Sequence, residues 1–150
     1  MRNTSIGLVV ALLFAPAAWA AEGLVTIKSA HGVETTADRL VAALEDKGMT
    51  VFRRVDHAAG AAAVGQELGP TELVIFGNPK VGTPLMRCGR TAGIDLPQKA
   101  LIREDASGTV LLSYNSPRYL AKRHGIEGCD DVIATIEKAL ANFARAATAE

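Results

Sequence analysis

The chain has 150 residues, with 16 Lys and Arg against 16 Asp and Glu, so its formal net charge at pH 7 is zero. That balance argues against nucleic acid or a membrane surface as partner, because both are held by neutralising phosphate charge. With 49% hydrophobic residues, a chain of this length can build one core of ordinary size.

The amino terminus reads as a leader. Arg2 supplies a positive start, and residues 6–18 form a short apolar run interrupted by Pro16. Ala18 and Ala20 are the small residues that precede a cut, here expected between Ala20 and Ala21. The run is too short for a membrane-spanning helix. Residues 1–20 are therefore expected to be a signal peptide, and 21–150 a single domain that is periplasmic or secreted. Cleavage removes Arg2, leaves 15 basic residues against 16 acidic ones, and predicts no membrane contact afterwards.

Val25 and Ile27 alternate with Thr26 and Lys28, which predicts a half-buried strand. Ala37, Leu40, Val41 and Leu44 recur at helical spacing, with Thr35 or Thr36 as N-cap and Gly48 as stop. Residues 50–56 read as a second strand. Residues 57–68 read as a short Ala-rich helix, capped by Asp56 and closed by Pro70. The run TELVIF, residues 71–76, is nearly continuous in apolar residues, the pattern of a central strand buried on both faces.

The stretch FGNPKVGTPLMRCGR follows, from Phe76 to Arg90. It reads as a strand-to-helix turn, with Thr83 as N-cap and Pro84 as the first helical residue. Such a turn presents amide donors and Lys80 adds charge, so a small anion is a candidate ligand. The Walker order GxxxxGK[ST] is absent, however, and Pro79 and Pro84 remove two donors.

Residues 96–104 and 109–115 read as a hairpin closed by Asp105-Ala106-Ser107-Gly108. Pro117 opens a short helix ending near His124-Gly125. A last helix starts at Cys129 or Asp130, with Val132, Ile133, Ile136, Leu140 and Phe143 as its stripe. The tail from Ala144 is small and polar, and is expected to fray. The order predicts an α+β domain, an antiparallel sheet covered on one face by two long helices. Ile102, Leu111 and Leu112 are candidates for the other face, which would suit a homodimer.

Cys88 and Cys129 are the only cysteines, and an even count in an exported chain predicts a structural disulfide. The alternative is an envelope thiol or redox enzyme built on the same pair, although no CxxC is present. Lys99 sits mid-strand, where a charge needs a partner. If it shares a sheet face with Tyr114, the two can join Asn78, Lys80 and Thr83 in a site for a small polar or anionic ligand. His31, His57 and His124 are isolated, without metal spacing. Met86 with Met49 and Cys88 suggests a copper site as a further alternative, while Met86 at helical spacing reads as core. No GxSxG and no complete catalytic set is found, so no cofactor, metal or catalysis is expected.

Four segments together carry a resemblance. They are Asp56-His57 with its Ala-rich helix, PTELVIFGNPKVGTPLM, TAGIDLPQKALIREDASG and VLLSYNSPRYLAKRHGI. In combination they resemble the family called domain of unknown function 302, over a core of about residues 55–126. The resemblance implies a TATA-box-binding-protein-like two-layer fold, commonly dimeric, and no settled activity. That fold hosts unrelated functions, so DNA binding is not implied. The cysteines are similar to an addition in exported members, in agreement with a disulfide. The expected function is an exported small-ligand-binding or accessory protein, non-catalytic and homodimeric.

Overall fold

A computed structural model describes residues 22–150, so the expected leader, residues 1–20, lies outside the described residues. Five strands are present: β1 (Leu24–Lys28), β2 (Thr50–Asp56), β3 (Thr71–Gly77), β4 (Gln98–Glu104) and β5 (Val110–Asn115). They are interleaved with α1 (Val33–Asp46), α2 (His57–Ala63), α3 (Pro79–Cys88), α4 (Pro117–Arg123) and α5 (Asp130–Thr148), and a 3-10 turn spans Arg90–Ile94. The strands form one antiparallel sheet in the order β1-β5-β4-β3-β2. The long helices α1 and α5 cover one face, as the sequence predicts.

Period decides which side chains meet. In α1, Val33, Ala37, Leu40 and Leu44 fall on one stripe and are buried. In α5, Ile133, Ile136, Leu140, Phe143 and Ala147 do the same. Val74 and Phe76 of β3, Ala100 and Ile102 of β4, and Leu112 and Tyr114 of β5 project into those stripes. The rings of Phe76 and Phe143 meet edge to face, with centroids 6.5 Å apart. At the β2 edge, the Arg54 guanidinium binds Glu72 of β3 and Asp38 of α1, which holds it charged and ties the helix to the sheet.

Several expectations need correction. Ile102 and Leu112 are core residues, paired with each other in register, and only Leu111 lies on the opposite face. Side-chain direction alternates along a strand, so neighbouring residues cannot share a face. For the same reason β3 is not buried on both sides, since Leu73 and Ile75 stay partly exposed. The opposite face carries Arg53, Lys99 and Arg103 among Val55, Leu73, Ile75, Leu101 and Leu111. The α1 cap is Gly32 and not a threonine, and Thr36 Oγ1 instead donates back to Gly32 O over 2.8 Å.

The carboxyl end does not fray. Ala144, Ala147 and Thr148 are buried, because small side chains let the last turns of α5 approach closely. Arg39 of α1 donates to the carbonyls of Ala146, Ala147 and Ala149, which satisfies the helix end. The predicted hairpin turn forms as read. Asp105 accepts from the amides of Ser107 and Thr109 at 2.8 and 3.0 Å, and Gly108 takes a φ of 80° that other residues resist.

Candidate functional site

The loop after β3 positions the site. Asn78 is the N-cap of α3, accepting from the Lys80 amide at 2.9 Å and donating to Gly48 O at 2.9 Å. The helix therefore starts at Pro79, whose missing N–H costs nothing there. Thr83 and Pro84 lie inside it, so the expected cap at Thr83 is wrong by one turn. An Asn side chain that can bond both ways outcompetes a threonine one turn later.

Between α3, the end of β3 and the start of β4 lies a cavity of about 260 Å³. Its walls include Met49, Phe52, Leu85, Met86, Leu96 and Gln98, and no charged side chain lines it. A β-carbon at Gly77 would stand 3.2 Å from the Phe52 ring and 3.5 Å from Pro97, so glycine lets the walls close there. A second hollow of about 460 Å³ opens between α1 and α5. The two adjoin, with Met49, Val81, Gln98 and Ile136 lining both, and together are called the cleft.

Gln98 stands apart from the other buried polar side chains. It is only 8% exposed, and its Nε2 has no hydrogen-bond partner among the described residues. By contrast Ser29 pairs with Thr36 at 2.7 Å, Ser113 with Thr26 at 2.9 Å, and Thr148 donates to Ala144 O at 2.9 Å. A buried amide donor without a partner is costly and rare in a folded protein.

The five residues expected to form a polar pocket do not converge. Asn78 lines the cleft, but both ends of its amide are engaged. Lys80 and Thr83 are exposed on α3, with Lys80 beside a separate hollow formed with Asp131 and Thr135. Lys99 lies on the face away from the long helices, and its ammonium donates to Asp95 O and Pro97 O at 2.9 and 2.8 Å. Tyr114 pairs with Ala100 and so points to the helix-covered face, opposite to Lys99. The condition of one shared face is not met.

Burial pushes the Tyr114 phenol above its ordinary value, and Glu137 adds to the shift. A raised folded value means stability that is complete below about pH 10 and lost as pH rises through that value. Absorbance titration should show a phenolate phase above the ordinary midpoint that Tyr114→Phe removes. A Tyr114 phase at or below pH 10 would contradict the burial.

One further grouping was hidden in the sequence, and the expected disulfide is present beside it. His124 contacts Asp95 Oδ2 through Nε2 at 2.6 Å and Thr91 Oγ1 through Nδ1 at 3.1 Å, tying the end of α4 to the 3-10 turn. Cys88 and Cys129 are bridged, joining the end of α3 to the start of α5, and no described cysteine is free. Met49 and Met86 both reach the cleft, while no group of three His, Cys, Asp or Glu gathers among the described residues. Missed by sequence reasoning were Gln98, Phe52, Leu96 and Ile136. Gln98 alone left a signal, as a polar residue in phase with Ala100 and Ile102.

Comparison with known proteins gives three findings. The model of the family described as Domain of unknown function DUF302 matches residues 25–143. A crystal structure of an uncharacterized conserved protein DUF302 from Bacillus stearothermophilus superimposes with a TM-score of 0.76 at 21% identity, covering 85% of this chain and 99% of that one. Proteins named fluoride-specific ion channel FluC 1, from Brucella suis and Brucella abortus, are 53% identical over 110 residues, or 73% of this chain. The matched segment makes up 43% and 41% of those relatives, so the chain spans less than half of their length. No helix among the described residues is long and apolar enough to cross a membrane.

Proposed function

This chain belongs to the DUF302 family, and from that premise we propose that it is an exported small-ligand-binding or accessory protein, homodimeric and without catalysis of its own. The observation that carries this reading is the cleft. Its wall includes the loop between β3 and α3, and the lining of its first cavity is mostly apolar with one unpartnered amide. Binding sites for small molecules have this character, an apolar enclosure with few placed polar groups. The leader-like amino terminus supports export, and the partly exposed apolar residues Val55, Leu73, Ile75, Leu101 and Leu111 support a second copy on the open sheet face.

The FluC relatives support the accessory part of the reading. A segment like this chain stands there beside a longer remainder, within proteins named as fluoride-specific ion channels. The first cavity of the cleft suits no bare halide, since no cationic side chain lines it.

A thermal-shift screen of the mature chain tests the proposal. A ligand at a hundredfold excess over its Kd stabilises by about 2.7 kcal/mol, a rise on the order of 10 °C for this size. The shift should survive in a Lys80→Ala, Lys99→Ala double variant. Its loss there would move the site from the cleft to the polar residues. Leu101→Asp should convert the dimer to monomer in sedimentation, and a wild-type monomer at all concentrations would refute the homodimer.

A further inference from the structure

We infer that Gln98 selects the ligand of this cleft, and that the ligand is an uncharged molecule with an apolar body and one hydrogen-bond acceptor oxygen, such as a ketone, ester or amide. The inference rests on the binding reading above and deepens it. Gln98 begins β4 in the phase that faces the long helices, where Ala100 and Ile102 are core. It borders both halves of the cleft, so any molecule that bridges them passes its amide. Its Nε2 is buried and unpartnered, a donor whose cost falls when an acceptor oxygen arrives.

The rest of the lining decides the other properties. Met49, Phe52, Leu85, Met86 and Leu96 offer hydrocarbon and thioether surface, which favours an apolar body. No cation lines the first cavity to balance a carboxylate or phosphate, so a charged head there would be desolvated without compensation. Charged groups appear only in the second hollow, where Asp46 and Lys47 contribute to the walls beside Asn142. Unpaired donors also give the strongest discrimination, because an analogue that lacks the acceptor leaves them unsatisfied.

The test uses octan-2-one and octanoate as probes, titrated into the whole mature protein with calorimetry and amide chemical shifts as readouts. Octan-2-one should bind at least tenfold more tightly than octanoate and move the resonances of Gly77, Gly82 and Gln98. Gln98→Met, with Gln98→Leu as a second variant, should weaken ketone binding about tenfold. Both should raise the midpoint of the unliganded protein by a few degrees, which a merely structural glutamine would not do. Equal or preferential binding of octanoate would overturn the uncharged ligand, and unchanged ketone binding in both variants would overturn the role of Gln98, each leaving the cleft as a site. Binding by neither probe would overturn the inference together with the site.

Discussion

Opening the Cys88–Cys129 bridge is expected to cost about 4 kcal/mol of stability, in the chain-entropy model for a loop of this length. The two cysteines are 41 residues apart, and the segment between them holds the 3-10 turn, the β4–β5 hairpin and α4. A free chain can scatter all of that, while the bridged unfolded chain cannot. Since domains are stable by about 5–15 kcal/mol, the loss is a large share of the total. Urea denaturation of a Cys88→Ala, Cys129→Ala double variant measures it. The bridge also ties α3 to α5, the helices that contribute Leu85, Met86 and Ile136 to the cleft, so ligand affinity should fall with it. A stability change below about 1 kcal/mol, or a bridge that mild reductant opens without loss, would favour the thiol reading over the structural one.

The two-layer fold was legible because its signals were periodic. Leu40 and Leu44 mark α1, Ile133, Ile136 and Leu140 mark α5, and the turn at Asp105–Gly108 pins one hairpin. Errors arose where local patterns compete or stop short. Thr83-Pro84 is a good helix start in isolation, and it lost to Asn78, whose side chain reaches Gly48 across 30 residues. The carboxyl tail looked frayed because alanines carry little hydrophobic signal. Against a close helix neighbour, the same small size becomes the reason for burial, and Arg39 supplies the end cap from another element.

The site was less legible, for a physical reason. Sequence reasoning looked for charges and found Lys80 and Lys99, but long cations on strands and helices tend to reach out of the core. Lys99 does so, spending its ammonium on two carbonyls of its own approach loop. Its neighbour Gln98 carries no charge and drew no notice, although strand phase places it inside whenever Ala100 and Ile102 are inside. The convergence of Met49, Met86 and Ile136 on one cavity depends on how α3 and α5 pack, which no local spacing encodes.

Phe76→Ala is expected to destabilise the protein by about 3–5 kcal/mol, the range for a large aromatic deleted from a core. Phe76 is 1% exposed on the helix-covered face near the end of β3, and its ring meets Phe143 of α5. It also forms the wall of the hollow between α1 and α5. Truncation therefore removes packing that holds α5 to β3 and enlarges the space that a ligand must fill. Stability should drop in urea with little change in slope, while binding of an apolar probe weakens as the enclosing surface recedes. Phe76→Leu separates the two roles. Leucine restores much of the buried hydrocarbon, so stability should return in large part, but it lacks the ring edge that meets Phe143. If Phe76→Ala lost less than about 1 kcal/mol, α5 would not be anchored through this contact, and the cleft would need another wall.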